Sequence, residues 1–409
     1  MISFIARRQP FSIETAEMLL EQYGSPLYVY DSEVLSETIR HITQAVVYPR
    51  TRFHFASVTN GNLALLKIFK DHGWGLHANT PGDVFLGLQA GFDPREIVFS
   101  GGNLTRDEFE QMLRWQVATL NLDSLDQLRS LINVYRNWSE KKYLPRLGFR
   151  LNLPDLTGKT RTGVSPAEFP AALELTKGSE LQVTGLHFYR GTGTNSTPSF
   201  TGVIAQVLAV GKQLPAWNYL DFGGGFGYAY HADRPGFEWQ TFGEELTRQL
   251  SELSQPINLV IEPGRAAIAR CGTLLTRVVS AKWQEDRQIV GTDTTVGNIA
   301  VLSVHGGHRE VCCWKDSTSQ RFTSDVCGNS TFSRDYLSRD GQLPELKAGD
   351  VLGILDVGAY GYAMSSHFLH RPRPAEVLLE EGSPRLIRER EGYEVLLNGQ
   401  LCRREKVEF

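Results

Sequence analysis

The repeated alternation of strand signals with helix signals is the feature of this sequence that most limits its fold. After residue 50, short runs of small or apolar residues alternate with segments whose apolar side chains recur at helical spacing. About eight such steps follow one another, the number that closes a parallel barrel. We therefore predict a (β/α)8 TIM-like barrel. An open, doubly wound sheet is the alternative that this pattern leaves open.

The predicted barrel elements follow the chain in order. The first strand begins at Phe53 and runs to the turn at Asn60. The later strands are predicted at 75–78, 97–100, 118–122, 146–151, 181–188, 219–222 and 259–261. Val58 stands at the carboxyl end of the first strand, which is the side where such barrels keep their active sites. His54 has the same inward parity but should lie roughly 13 Å deeper, at a rise of about 3.3 Å per residue.

The pattern changes after Arg270. Strand-like segments at 274–280, 299–304, 309–314, 351–356 and 375–379 have no good helices between them, which predicts a second, mostly antiparallel β-domain. The N-terminal strand that ends at Tyr30 should join it. We predict a barrel at 31–268 and a β-domain of 1–30 plus 269–409. The polar stretch 316–347 is either a long functional loop or partly disordered.

Composition excludes several functional classes. The 409 residues suffice for two domains, and a net charge of −4 gives no reason to expect a nucleic-acid partner. The opening residues do not read as a signal peptide and no apolar run is long enough to span a membrane, so we expect a cytoplasmic protein. Five unevenly spaced cysteines favour reduced thiols over disulfides or a zinc site.

The strongest chemical signal is the run Gly223-Gly224-Gly225 directly after a predicted strand. Successive glycine amides can form a nest for phosphate, although a tight strand-to-helix turn is about equally consistent with the run. Glu262 and Arg265, three residues apart after the next strand, can face the same pocket. A structural salt bridge is the alternative for this pair.

These motifs, together with others along the chain, resemble the diaminopimelate and ornithine decarboxylases, the fold type III enzymes of pyridoxal 5'-phosphate. The other matching segments are 26–31, 150–152, 185–188, 356–361, 364–366 and 371–376. The resemblance covers nearly the whole chain and implies an eight-stranded barrel followed by a β-domain. It also implies a homodimer with shared active sites and an amino acid or amine as substrate.

The resemblance implies a role for each matching residue. The cofactor phosphate would be held by Gly223, Gly224, Gly225, Arg265 and Tyr360. Glu262 would face the pyridine nitrogen and keep it protonated. Arg150 matches an arginine near the cofactor, and His187 lies on the strand that carries the family's active-site histidines. His187 alone is more often a core histidine, and Tyr360 alone a packed aromatic.

The departures from the family are concentrated around Val58. The family has its Schiff-base lysine at this position, and valine has no nucleophilic nitrogen. His77 stands where the family has an aspartate close to that lysine, and Tyr189 replaces the histidine that stacks on the cofactor ring. The resemblance therefore implies a cofactor that binds without a covalent link.

Four further positions bear on the chemistry. Cys327 is retained in the loop that crosses from the partner subunit, but Gly328 and Asn329 follow where the family has an acid and a small polar residue. Diaminopimelate is therefore not inferred as the substrate. Lys159 lies in a glycine-bearing loop that can reach the site, although a solvated loop lysine is about four times more probable.

No metal site is predicted. His54, His77 and His187 lie on predicted barrel strands, but His54 is too deep to share ligands with the rim. The segment 305–308 has histidines at its two ends without a third ligand or helical spacing. For both sets of histidines, a structural role is favoured over metal binding.

Three hypotheses follow from these residues. The first is a decarboxylase-like enzyme that binds pyridoxal phosphate noncovalently, and the candidate catalytic residues are Cys327, His187, Tyr189 and His77. The second is a catalytically silent relative that acts as a binding or regulatory partner. The third is a barrel repurposed for cofactor-free chemistry. The retained phosphate glycines, Glu262 and Arg265 favour the first.

Overall fold

The computed structural model describes residues 9–139, 143–191, 193–231, 233–305, 307–315 and 319–401. The chain forms two compact units. The first runs from Ser32 to Cys271, and the second combines the segment that ends at Asp31 with the residues from Gly272 onward. Cys402 and the opening residues that were examined for a signal peptide lie outside the described residues. None of the helices in the described part of the chain is long and apolar enough to cross a membrane.

The second unit begins with α1 (Ile13–Tyr23) and β1 (Leu27–Asp31), and the first unit then folds as a closed parallel barrel. Its strands are β2 (Thr51–Ala56), β3 (Gly75–Ala78), β4 (Ile97–Phe99), β5 (Thr119–Leu122), β6 (Arg146–Arg150), β7 (Val183–His187), β8 (Tyr219–Asp221) and β9 (Asn258–Ile261). Each strand pairs in parallel with the next, and β9 pairs with β2 to close the ring. The predicted (β/α)8 barrel is confirmed.

Helices connect these strands on the outside of the barrel. They are α2 (Ser32–Ala45), α3 (Leu63–Asp71), α4 (Pro81–Gln89), α5 (Arg106–Arg114), α6 (Leu125–Arg136), α7 (Pro154–Thr157), α8 (Phe169–Thr176), α9 (Thr197–Thr201), α10 (Ile204–Gly211), α11 (Trp239–Ser251) and α12 (Arg265–Ile268). Thr80 and Thr105 begin α4 and α5 with reciprocal capping boxes. The single helix predicted at 198–213 is wrong, because a turn at Gly202 divides it into α9 and α10.

The first barrel strand is shorter than predicted. β2 ends at Ala56, and residues 57–59 form a 3-10 turn in which the amide of Asn60 donates to the carbonyl of Ser57. Val58 therefore lies on a turn beyond the strand, with 41% of its surface exposed. The predicted common inward parity of His54 and Val58 is wrong, because strand alternation stops before Val58.

The second unit is built on one mostly antiparallel sheet. The strands after the barrel are β10 (Gly272–Gln284), β11 (Arg287–Thr292), β12 (Val311–Cys313), β13 (Arg321–Cys327), β14 (Tyr336–Pro344), β15 (Val351–Ile354), β16 (Ala375–Glu380) and β17 (Ser383–Arg388). The sheet order is β14-β13-β11-β10-β1-β16-β17, with β15 on β10 and β12 on β15. Among the described strand pairs of this sheet, only β1 with β16 and β11 with β13 run parallel. The predicted β-domain, including the N-terminal strand, is confirmed.

Two predictions in this unit are wrong. The apolar run 299–304, predicted as a strand, contains the start of helix α13 (Val301–His305), because short apolar runs do not distinguish a strand from a buried helix. The stretch 316–347, predicted as a loop or disordered, contributes β13 and β14 in its described part. These strands carry mostly polar, half-exposed side chains, so they lack the apolar alternation that marks a strand.

Gly185 offers a test of how tightly the barrel interior is packed. A Cβ atom at Gly185 would lie 1.8 Å from the ring of Tyr219, which is fully buried. We expect Gly185→Ala to lower the free energy of unfolding by at least about 1–3 kcal/mol, because the aromatic ring has no room to move. Gly82→Ala, in α4, is the matched control, because its Cβ would meet only the Thr80 hydroxyl at 3.5 Å. Thermal unfolding of both variants measures the difference, and equal melting temperatures would contradict the described packing.

Candidate active site

Three acid and imidazole side chains meet at the carboxyl ends of neighbouring barrel strands. His187 ends β7, Asp221 ends β8 and pairs with His187 in register, and Glu262 directly follows β9. One nitrogen or oxygen of each side chain lies within 4.8 Å of the other two. All three are at most 2% exposed. Because parallel strands end at the same rim, residues far apart in sequence form one buried cluster.

A second histidine joins this cluster from β3. Nε2 of His77 lies 3.4 Å and Nε2 of His187 lies 3.5 Å from the same oxygen, Oε2 of Glu262. These contacts lack the alignment of hydrogen bonds: within the described chain, both ring nitrogens of each histidine and Oε1 of Glu262 have no hydrogen-bond partner. Buried polar atoms are nearly always satisfied in native proteins, so five such atoms in one place indicate a ligand or water site.

Burial controls the charge of this cluster. Burial lowers the pKa of His187 to about 4, and it lowers the pKa of His77 well below its ordinary value with help from the neighbouring charges of His187, His54 and Arg150. Burial also raises the pKa of Glu262 to about 7 and that of Asp221 well above its usual range. Near neutral pH both imidazoles are therefore uncharged, and Glu262 lies close to its point of half ionisation.

A hydrogen-bond network fixes Asp221. Its Oδ2 accepts from Nδ2 of Asn121 at 2.8 Å, and its Oδ1 accepts from the amide of Gly223 at 3.0 Å. The Tyr219 hydroxyl in turn donates to Oδ1 of Asn121 at 2.9 Å. Sequence reasoning did not assign Asp221 to the site. The sequence feature that could have identified Asp221 was a charged residue at the end of a predicted barrel strand, just before the glycine run.

The glycine run forms a loop in which side chains do not fit. Gly223 and Gly225 have φ angles of 66° and 96°, in the left-handed region that favours glycine. A Cβ atom added at Gly223 would lie 2.1 Å from the carbonyl oxygen of Phe188. One added at Gly225 would lie 2.1 Å from the carbonyl oxygen of Gly191. At Gly224 it would lie 2.6 Å from the carbonyl oxygen of Glu262. Packing therefore requires glycine at all three positions, and the loop has no side chains of its own that could cover its backbone amides, as an anion cradle requires.

Arg265 lies beside this loop. It begins α12, and its Nη1 donates to the Tyr230 hydroxyl at 3.1 Å. Nε of Arg265 lies 3.6 Å from the position that a Cβ atom would take at Gly193. Gly193 is itself bound to the glycine loop, because its amide donates to the carbonyl of Gly225. A guanidinium is thus held next to the glycine loop. Tyr230 was missed from the sequence, because no motif marks it and only the loop conformation brings it to Arg265.

Arg150 and Tyr189 form an adjacent pair. Cζ of Arg150 lies 5.1 Å from the centre of the Tyr189 ring, within cation–π range. Cε2 of Tyr189 is 3.6 Å from the Cβ position at Gly225. The charge of Arg150 also lowers the pKa of Glu262, which shows that the guanidinium lies within electrostatic reach of the carboxyl group. The structure thus brings both predicted residues next to the glycine loop and the buried cluster.

No lysine of the barrel unit is buried in the part of the chain that the structure describes. Five lysines are described there, and each is exposed or half-exposed: Lys67, Lys70, Lys159, Lys177 and Lys212. Lys159 is exposed in the segment after α7. The described interior of this unit therefore contains no lysine amine.

Cys327 and Tyr360 belong to the second unit. Cys327 is the last residue of β13, and burial raises the pKa of its thiol to about 11, so it is protonated near neutral pH. Tyr360 has a φ angle of 58° and is half-buried. Their predicted participation in the same site as the barrel residues remains a prediction.

Residues 35–269 match the family model described as the pyridoxal-dependent decarboxylase, pyridoxal binding domain. The chain belongs to this family. The diaminopimelate decarboxylase of Methanothermobacter thermautotrophicus is 32% identical, and the alignment covers 93% of each protein. That of Aquifex aeolicus is 27% identical, with 94% of this chain and 93% of the relative covered.

The pyridoxal-dependent decarboxylase fold is also found by structural comparison. The crystal structure of diaminopimelate decarboxylase from Helicobacter pylori complexed with L-lysine matches with a TM-score of 0.85 at 26% identity. The match covers 93% of this chain and 98% of the other. The resemblance read from the sequence motifs is confirmed at the level of the family, which depends on pyridoxal phosphate.

The barrel residues fit that cofactor. The buried oxygen Oε1 of Glu262 has no hydrogen-bond partner among the described residues, and the loop 223–225 leaves no space for Cβ atoms. A pyridine N–H would satisfy this oxygen, and backbone amides with Arg265 suit a phosphate. Val58, the position at which the sequence resemblance implies a lysine, carries no amine.

The raised pKa of Glu262 predicts a pH-dependent stability. Its carboxyl group ionises near pH 4.5 in the unfolded chain and near pH 7 in the folded protein. The protein without cofactor should therefore lose stability as the pH rises from 4.5 through 7, by on the order of 3 kcal/mol. We expect Glu262→Gln to raise the free energy of unfolding at pH 8 and to change it little at pH 4, as measured by denaturant unfolding.

Glu245 provides a control of opposite sign. Hydrogen bonds from Arg248 and Gln249 lower its pKa to about 2, so its ionised form stabilises the folded state above its ordinary pKa. Glu245→Gln should leave the protein no more stable at pH 8 than the wild type. A loss of stability in Glu262→Gln at pH 8 would contradict the described environment of Glu262, because it would mean that the charged carboxylate is favourably paired.

Proposed function

We propose that this protein is an amino-acid decarboxylase-like enzyme that binds pyridoxal 5'-phosphate noncovalently. One observation carries the proposal: a buried Glu262 with an unsatisfied oxygen lies beside a glycine loop, in a barrel unit whose described lysines are all at the surface. Val58 stands where the resemblance puts the Schiff-base lysine. A side chain without an amine cannot form the covalent link.

The proposed binding roles follow the chemistry of each group. Gly223, Gly224 and Gly225 would hold the phosphate with Arg265 and, from the second unit, Tyr360. Oε1 of Glu262 would accept a hydrogen bond from the protonated pyridine nitrogen. Arg150 and the aromatic face of Tyr189 would lie near the ring, in keeping with their contact with each other.

The bound cofactor would supply a ring that accepts electrons from the carbanion left when an amino acid loses carbon dioxide. The chain's own contribution is electrostatic. Glu262 lies near half ionisation at pH 7, so its ionised form is accessible and can accept a hydrogen bond at Oε1. The neutral imidazoles of His77 and His187 lie near its Oε2 and add no charge to the site. His77, His187, Tyr189 and Cys327 remain the proposed catalytic residues.

The proposed substrate is a small amino acid or amine. The relatives are named diaminopimelate decarboxylases, and one of them was crystallised with L-lysine. Gly328 and Asn329 offer no carboxylate for a distal ammonium group, so diaminopimelate itself is not proposed. A preformed imine of cofactor and substrate would avoid the need for a lysine. A cytoplasmic homodimer with shared active sites completes the proposal.

Two other functions are weighed against this one. A catalytically silent homologue could serve as a binding or regulatory partner, and a repurposed barrel could carry out cofactor-free chemistry. A silent scaffold has no physical need for two buried carboxyl groups with raised pKa values beside a glycine cradle. Such groups cost stability, and perturbed pKa values of this kind are concentrated at functional sites.

Cofactor binding can be tested directly on the full-length protein. Purified protein is mixed with pyridoxal phosphate, and the bound fraction is measured from the visible spectrum after gel filtration. We expect saturable binding that is weakened at least about tenfold by Arg265→Gln, because one charge-assisted contact to the phosphate is lost. The control Arg248→Gln alters an exposed arginine of α11 and should bind normally. Absence of saturable binding would overturn the proposal and favour cofactor-free chemistry.

The noncovalent nature of the complex is tested by borohydride reduction followed by peptide mapping. We expect no lysine adduct in the barrel of the wild-type protein. Val58→Lys should create an adduct at position 58, because Val58 is exposed and a longer side chain can be accommodated. Val58→Met has a similar length without an amine and should give none. An adduct at Lys159 or another barrel lysine in the wild type would refute the noncovalent mode.

A further inference from the structure

A cationic pocket of about 350 Å³ lies within the second unit. Its lining includes three arginines and one histidine: Arg309, Arg334, Arg339 and His308. None of the described residues that line it is acidic. The volume falls in the range of small-molecule sites in proteins. The pocket shares no residue with the barrel cluster around Glu262.

The base of the pocket contains a buried guanidinium. Arg309 is only 2% exposed, and its Nη1 donates to the carbonyl of His308 at 2.8 Å. A Cβ atom at Gly307 would lie 3.3 Å from the same nitrogen, so glycine keeps the approach to the guanidinium open. Leu302 and Leu337, both buried, add an apolar surface beside it. A positive charge and a short hydrocarbon wall therefore lie next to each other.

The rim carries two exposed arginines. Arg334 precedes β14 and Arg339 lies within it. Cζ of Arg339 lies 3.7 Å from the centre of the Tyr336 ring, which holds the guanidinium against an aromatic face. Neither rim arginine forms an ion pair with any carboxylate of the described chain. Their charges remain available to a ligand.

Three carboxylates on or next to β13 and β14 pair or hydrogen-bond with other groups. Asp335 accepts hydrogen bonds from the amide of Val296 at 2.8 Å and from the Thr295 hydroxyl at 3.1 Å. Asp325 and Asp340 both pair with Arg287. The lining itself contains three arginines and no acidic residue among those described, and this excess of positive charge favours the binding of anions.

We propose that this pocket binds a small polyanion that carries at least two carboxylate or phosphate groups on a compact skeleton. Guanidinium groups bind both kinds of anion through paired hydrogen bonds. The hydroxyls of Ser303, Tyr336 and Ser338 lie in the same lining and supply further donors. The apolar wall of Leu302 and Leu337 suits a short carbon chain. The lining shares no residue with the proposed cofactor site, and the proposal does not rest on cofactor binding.

The test uses isothermal titration of the full-length protein with two probes, citrate and pyrophosphate, at constant ionic strength. We expect saturable binding of at least one probe, weakened at least about tenfold in the double variant Arg334→Gln/Arg339→Gln. The control is Arg321→Gln/Arg371→Gln. It removes two exposed arginines of the same unit that donate to the carbonyl groups of Gln342 and Asn329. Control binding should match the wild type.

Each outcome has a defined meaning. Preference for citrate assigns a polycarboxylate ligand, and preference for pyrophosphate assigns a phosphate ester; both support the site. Absence of saturable binding, or equal weakening in the control, overturns it. The assembly mass of the rim variant is measured separately by sedimentation. If the wild type binds neither anion and the variant has a lower assembly mass than the wild type, these arginines contact another copy of the chain, and the anion site is overturned. Arg309 is left intact because the loss of a buried guanidinium could unfold the unit.

Discussion

The site depends on the burial of two carboxyl groups, Asp221 and Glu262, side by side at the rim of a closed barrel. Two adjacent buried carboxylates are unfavourable when both are ionised, so the protein must raise their pKa values or surround them with donors. The amide groups of Asn121 and Gly223 provide donors for Asp221. Glu262 keeps one oxygen unsatisfied, and a cofactor that brings its own N–H group would complete its surroundings.

The same constraint bears on the proposed replacements at Val58 and His77. The sequence resemblance implies a lysine and a nearby aspartate at these positions in the family. Removal of the lysine alone would leave an unpaired negative charge next to a site that already holds two carboxyl groups, which is strongly destabilising. A neutral histidine at position 77 removes that charge as well, since burial keeps its pKa well below the ordinary value. Under the proposed noncovalent binding, the two replacements together would preserve the electrostatic balance while they remove the covalent anchor.

Much of this arrangement could be predicted from the sequence. The barrel and the β-domain follow from periodicity, and the glycine loop, Glu262 and Arg265 follow from local motifs. Asp221, Asn121 and Tyr230 were missed, because their roles depend on contacts between strands and loops that are distant in the sequence. The wrong strand prediction at 299–304 and the failure to predict the polar strands β13 and β14 have a common cause. Local patterns report burial on one face, and they are ambiguous for short apolar runs and for strands with exposed polar faces.

The sequence by itself determined the order of elements, the residues able to bind a phosphate, and the absence of an amine at Val58, because these depend on residue identity and spacing along the chain. Tertiary structure decided which side chains meet. It placed two uncharged imidazoles against one oxygen of Glu262, moved Val58 off the strand onto an exposed turn, and gathered Arg309, Arg334 and Arg339 around one pocket. Distance, burial and the resulting pKa shifts arise only when remote segments pack together, so no local pattern in the sequence could specify them.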